Sequence, residues 1–189
     1  MRLENMDSRV KLGDFNSSNG LDRGASKLKE VAWYFTKIIF FLSAFPFPSS
    51  FKIVLLRFFG AKVGSGVVLK PRINIHFPWK LSIGDDVWIG EEVFLLNFEF
   101  LDIGSNVCIS QRAFLCGGNH DYRSPEMPYR NGPITLMAGS WIGASVFVSP
   151  GVTIGVDTVV TAGSIVTENL ASNGIYKGNP LVYIKPRWR

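Results

Sequence analysis

The chain has 189 residues, 47% of them hydrophobic, with 20 Lys+Arg against 15 Asp+Glu for a formal net charge of +5. That size and apolar content suit one main domain with its own core and exclude a mostly disordered chain. Only two cysteines are present, Cys108 and Cys116, which excludes a disulfide framework or a cysteine zinc site and leaves two buried free thiols.

Charge is unevenly placed. Residues 1–80 hold 13 basic and 5 acidic residues, a net of +8, whereas residues 81–189 carry 7 and 10, a net of −3. The N-terminal excess points to an anionic surface as partner. Aromatic and aliphatic residues interleave with the basic ones, which favours a membrane, and no nucleic-acid-reading motif is present.

Residues 1–27 are polar and rich in Ser, Asn, Gly and Asp, and read as a disordered tail. With no apolar run before Val31, the start is not a secretory signal, and a cytoplasmic location is expected. Residues 28–60 form a basic-aromatic helical lead-in. A first helix from about Lys27 ends before Pro46 and Pro48. It is too short, and too interrupted by Lys37, to span a bilayer. A second helix is capped by Ser49 or Ser50 and stopped by Gly60. Its Phe51, Val54, Leu55 and Phe58 share one face. Either the two helices pack on the neighbouring domain or they lie in the plane of a membrane, with Lys37, Lys52 and Arg57 near head groups.

From residue 61 onward the chain repeats. Leu136, Ile142, Val148, Ile154, Val160 and Val166 are spaced by six, as are Val63, Leu69, Ile75, then Ile83, Ile89, Leu95, then Ile103, Ile109, Leu115. Two extra residues separate each of the three earlier runs. A period of six fits neither a helix nor a simple strand. It fits a coil of three short strands per turn, with one aliphatic residue per strand stacked along the axis. The period fails at about 116–135, which reads as a loop extruded from the coil, where functional residues concentrate.

The segment WIGASVFVSPGVTIGVDTVVTAGSIVTENL (141–170) and KGNP (177–180) resemble the hexapeptide-repeat acetyltransferases, including the maltose and galactoside branch. The stretches 70–90, 97–104 and GGNHDY (117–122) resemble the colanic-acid-type polysaccharide O-acetyltransferases. The resemblance implies an all-β, left-handed parallel β-helix assembled as a homotrimer, with sites between subunits. It also implies that acetyl-CoA donates acetyl to a sugar or lipid-linked saccharide, with no metal. His120 takes the place of the catalytic base and Asn97 that of an acceptor contact. Trp141, Gly143, Ala144, Ala162, Gly163, Thr167, Lys177, Gly178, Asn179 and Pro180 fall at cofactor positions. Leu181 and Val182 depart from the pattern after the Gly-x-Pro motif; Lys177, Lys185 and Arg187 are the replacement charges for the nucleotide phosphates.

Acetyl transfer to a hydroxyl needs a base, and histidine titrates close to neutral pH. Asp121 orients the imidazole, binds acceptor or is a plain turn residue. Glu126 has a weaker claim. His76 reads as structural or as an acceptor-side contact. Trp79 and Tyr122 are sugar-stacking platforms or packing residues. A His₃ zinc hydratase is opposed by a total of two histidines. N-acetylation of a nucleotide-linked amino sugar and a non-catalytic scaffold are the remaining alternatives. The basic N-terminal segment would hold the enzyme at the inner membrane face.

Overall fold

The computed structural model describes residues 9–188. Its body is a left-handed parallel β-helix of about six turns. Each turn lays one short strand on each of three faces. The first face stacks Lys62–Val63, Leu81–Ile83, Leu101–Ile103, Ile134–Leu136 and Thr153–Ile154. The second runs from Val68–Leu69 through Trp88–Ile89, Cys108–Ile109, Trp141–Ile142 and Val159–Val160 to Gly174–Lys177. There the antiparallel strand Val182–Pro186 ends the stack. The third holds Asn74–Ile75, Phe94–Leu96, Phe114–Cys116, Phe147–Val148 and Ile165–Val166.

Register explains the period. Ser82 pairs with Asp102, Thr135 with Asp102 and Thr153 with Thr135. Coils therefore stack with offsets of 20, 33 and 18 residues, and the excess over 18 is the inserted chain. The six-spaced aliphatics form the buried column from Leu69 to Val166; only Val63, in the first coil, stays half-buried. A second inward column lies two residues earlier on each strand, with Val67, Ile73, Val87, Val93, Val107 and Val146. Each of these side chains contributes roughly 1.5–3 kcal/mol through burial.

The corner between the first and second faces places Gly66, Asp86, Asn106, Gly139, Asp157 and Asn173 in the left-handed region, one above another. Residues with little or hydrogen-bonding side chain suit that conformation. The next corner, between the second and third faces, does the same with Arg72, Glu92, Arg112, Ser145 and Gly163. There Glu92 accepts from Arg72 at 3.1 Å and from Arg112 at 2.8 Å. Arg112 first, then Arg72, hold its carboxyl below the usual range.

Two helices close the first coil. Helix α1, Lys27–Thr36, is capped by Ser26, and the chain continues as a wider π-turn over Lys37–Phe41. That turn brings Phe41 into the core beside Trp33, whose indole N–H donates to the Ile75 and His76 carbonyls. Helix α2, Ser49–Phe58, presents Lys52 and Leu56 inward, followed by Phe59. Its Phe51, Val54 and Phe58 point outward instead of forming the packed face. The Ser49 hydroxyl does not cap the helix; it accepts from Leu69 N at 3.0 Å.

Residues 9–24, expected within a disordered tail, lie along the protein. Lys11 N donates to the Pro125 carbonyl, Asn131 Nδ2 to the Gly20 carbonyl and Lys80 Nζ to the Asp22 carbonyl. Leu21 is buried. Polar composition concealed these specific backbone partners; residues 1–8 lie outside the described residues.

Lys52 is 1% exposed, and its Nζ donates to the Leu69 carbonyl at 2.6 Å and the Lys70 carbonyl at 2.9 Å. Burial, with a smaller push from Lys70, lowers its pKa from 10.5 to about 8. Lys52→Met removes the donor from both carbonyls and lowers stability by roughly 2 kcal/mol or more. Between pH 8 and 10.5 the unfolded chain binds the extra proton, so wild-type stability rises with pH across that window. Denaturant melts across this range show that rise in the wild type relative to the variant.

Candidate functional site

All three interruptions of the coil leave at one corner, between the third face and the first. They are residues 76–80, 97–100 and 117–133. Stacked there, each insertion rests on the one below. The Asn97 carbonyl oxygen accepts from the backbone N–H of His76 at 3.2 Å and Phe77 at 3.0 Å, and its Nδ2 donates to the Phe77 carbonyl at 2.6 Å. Asn97 is 2% exposed. In this chain the amide ties the first insertion to the second.

His76 packs between Phe77 and Phe98, with ring centroids 4.4 and 4.7 Å away. Burial pushes its imidazole down to about 4, and Lys37 and Arg23 add to the shift. It is a neutral structural residue at physiological pH. Trp79 stacks on Phe77 at 5.0 Å and donates its indole N–H to the Arg23 carbonyl at 2.7 Å.

The third insertion is a hairpin-like excursion. Gly132 N donates to the Gly117 carbonyl at its base, and Arg130 N donates to the Asn119 carbonyl higher up. His120 and Tyr129 face each other in an isolated antiparallel bridge. The Tyr129 ring stacks on His120 at 4.9 Å, and Phe15 from the N-terminal segment meets the imidazole edge-on at 5.5 Å. His120 Nδ1 lies 2.6 Å from the Met127 carbonyl oxygen. A carbonyl only accepts, so Nδ1 carries a proton, and in the neutral ring the lone pair is on Nε2. Asp121 takes no part in this: its carboxylate accepts from Arg123 N at 3.1 Å, as a turn residue. Tyr122 is exposed, with Arg123 at 5.8 Å from its ring centroid. Glu126 accepts from the Ser124 hydroxyl.

A second site lies at the corner between the second and third faces. A cleft of about 300 Å³ is lined by Ser110, Gln111, Trp141, Gly143, Ala144, Val159, Val160, Thr161 and Ala162. The Trp141 ring is 46% exposed, and its N–H donates to Ser110 Oγ at 3.0 Å. The backbone N–H groups of Gln111, Ala144 and Ala162, one per coil, have no acceptor among the described residues. Gly143 serves the fold: its N–H donates to the Val160 carbonyl, and an added Cβ would stand 2.5 Å from Ala162 N. Gly163 N donates to the Ala144 carbonyl. Lys177 and Gly178 sit directly above, where Thr161 N donates to the Tyr176 carbonyl and Ile165 N to the Gly178 carbonyl.

Other expected cofactor residues are not gathered there. Thr167 follows the strand Ile165–Val166 and so lies at the far edge of the third face. Asn179 and Pro180 are exposed in the turn before Val182–Pro186, and Lys185 pairs with Ile175 on that outermost strand. His120 and the cleft also occupy different corners, and no hydrogen bond or ring contact among the described residues joins them. Phe15, Met127, Tyr129 and Gln111 escaped the sequence reading, for none has a local pattern that marks it. Among the described residues no group of three or more His, Cys, Asp and Glu is placed to hold a metal ion.

No protein-family model matches the chain. It is 38% identical over 176 residues to the putative colanic acid biosynthesis acetyltransferase WcaF of Escherichia coli, covering 93% of this chain and 96% of that relative. It is 29% identical over 136 residues to the galactoside O-acetyltransferase of Escherichia coli, covering 69% and 66%. In fold it is similar to a hexapeptide-repeat acetyltransferase of Vibrio cholerae complexed with acetyl coenzyme A, with a TM-score of 0.78 at 24% identity over 88% of this chain and 92% of that one. A galactoside acetyltransferase in complex with coenzyme A gives a TM-score of 0.76 at 22% identity over 94% and 92%.

The Asn97 geometry has a direct test. Asn97→Ala strips partners from two backbone donors and one acceptor in the corner and costs roughly 2 kcal/mol or more, read by urea denaturation. A variant as stable as the wild type would show that these bonds do not hold the corner.

Proposed function

The chain belongs to the hexapeptide-repeat acetyltransferases of the colanic acid type, and from that premise we propose that it transfers acetyl from acetyl-CoA to a sugar hydroxyl of a surface polysaccharide or its lipid-linked precursor, with His120 as the base. The observation that carries the base is the Nδ1 contact to the Met127 carbonyl. It supports an imidazole held by Nδ1, with Nε2 available to accept a proton, between the rings of Tyr129 and Phe15.

Acetyl-CoA supplies an acyl group activated as a thioester. His120 Nε2 takes the proton of the sugar hydroxyl as its oxygen forms the new ester bond. The C–S bond breaks, and His120 returns the proton to the departing thiolate, so base and acid are one residue. The cleft beside Trp141 suits the donor. Its three unclaimed N–H groups are donors suited to the two amide carbonyls of a pantetheine arm and to the thioester carbonyl, the oxygen on which charge develops. Lys177, above the same corner, supplies positive charge for phosphates.

Base and cleft lie one face apart, six residues of extended chain or roughly 20 Å, whereas reacting atoms must approach to about 3–3.5 Å. A homotrimer resolves this by setting the His120 loop of one subunit over the cleft of the next. Two outer faces favour such packing. Val68, Trp88 and Trp141 line the second, and Phe94, Phe114 and Phe147 the third, whereas Ser82, Asp102, Thr135 and Thr153 line the first.

The outward Val31, Phe35, Ile38 and Ile39 and the outward stripe of α2 form the membrane-facing side of residues 28–60, with Arg57 and Lys62 beside them. No helix among the described residues is long and apolar enough to cross a membrane. The contact proposed is in-plane, through the outward side of these helices, at the inner membrane face.

Thiol release from acetyl-CoA across a panel of sugars and lipid-linked oligosaccharides tests the reaction. His120→Ala lowers acceptor-dependent release by about 100-fold or more while coenzyme A binding persists; unchanged release would move the base elsewhere. Ala162→Trp fills the cleft and abolishes donor binding. Co-expressed, the two inactive variants regain activity if the site is shared between subunits, and stay inactive if each chain works alone. Phe35→Glu with Phe58→Glu releases the protein from floated anionic liposomes; equal flotation would remove the membrane contact.

A further inference from the structure

A cavity of about 440 Å³ opens between α1 and the corner that carries the insertions, and no step of the transfer uses it. Its size falls in the range of ligand pockets. Val31, Trp33, Tyr34 and Phe35 form one wall, and Phe77 and Trp79 the other. Three charged side chains and His76 also face it. Arg23 and Glu30 cancel each other in a forked ion pair, with Nε at 2.8 and 2.9 Å from the two carboxylate oxygens. His76 is neutral. That leaves Lys37, whose ammonium meets no carboxylate or carbonyl among the described residues. Its neighbours are the Tyr34 ring, at 6.0 Å from the centroid, and the neutral His76, whose imidazole feels its charge. Burial without compensation lowers its pKa.

Such a cavity suits an anionic head and an apolar body. Its outer rim is shared with the lipid-facing side of α1, because Val31 and Phe35 belong to both. Its inner wall leads to the base through touching rings: His76 to Phe98 at 4.7 Å, Phe98 to Tyr129 at 5.6 Å and Tyr129 to His120 at 4.9 Å. We infer that this cavity binds the phosphate and the first hydrocarbon units of a phosphorylated lipid carrier, with Lys37 on the phosphate. The inference rests on the lipid-linked form of the acceptor proposed above. It makes the carrier, and not the sugar alone, part of what the protein recognises.

Titration calorimetry of the full chain with farnesyl phosphate, below its micelle concentration, tests it. Saturable binding is expected, weakened at least 10-fold by Lys37→Met and likewise by Val31→Trp, which fills the cavity without removing apolar surface. Farnesol and inorganic phosphate alone bind at least 10-fold more weakly than the combined ligand. Thermal melts establish that both variants fold. No saturable binding overturns the inference, as does binding unchanged in both variants or farnesol binding as well as its phosphate. Thiol release by the wild type with free sugars is scored separately, so failure of the carrier site leaves the transferase reading standing, and the reverse.

Discussion

Every feature of this protein depends on one steric demand, that each coil return the chain to the same place one strand spacing higher. Parallel backbone hydrogen bonds hold neighbouring coils about 4.8 Å apart, and the inward columns of aliphatic residues stack only when that return is met. A coil of 18 residues satisfies it with three six-residue sides. Extra residues are tolerated only where they leave and rejoin without shifting the strands. The pairing of Gly132 with Gly117 does this for the long loop. The shorter excursions at 76–80 and 97–100 leave the pairs Ile83–Ile103 and Leu95–Leu115 in register.

The ends of such a stack are its weak points, because a terminal coil exposes carbonyls and an open core. At the start, α2 meets both needs with a lysine and a leucine one turn apart: Lys52 satisfies the carbonyls and Leu56 plugs the axis. At the finish the chain reverses into Val182–Pro186, the one antiparallel strand among the described residues. Reversal ends the parallel stack, and Pro186 withholds a donor from the exposed edge.

The solenoid was legible because its rule is local and repeats. Six aliphatic residues in a row at one spacing leave little else to fold into. The second inward column was less visible, since it includes Ala113, Ser140, Thr158 and Ser164. The helices misled for a related reason. In α2 the more apolar stripe, Phe51, Val54 and Phe58, faces outward, while the inward stripe begins with a lysine whose partners are backbone carbonyls far along the chain. His120 was singled out by the broken period and the resemblance. Its neighbours Phe15, Met127 and Tyr129 come from a polar segment and a loop without periodicity, so only tertiary structure joins them. Asn97 entered as a binding candidate through the resemblance alone; its hydrogen-bond partners in the fold are backbone groups, which a sequence does not display.

The hairpin-like loop at 117–133 has a consequence for how this protein tolerates substitution. Its base is sealed by a glycine pair and its body hydrogen-bonds largely within itself, while the coils above and below pair directly across the gap, Phe114 with Phe147 and Asp102 with Thr135. The loop behaves as an interchangeable cassette on a fixed shaft. A change in the body of the loop that spares its glycine base leaves the strand pairs on either side of it in register, so the shaft bears little of its cost.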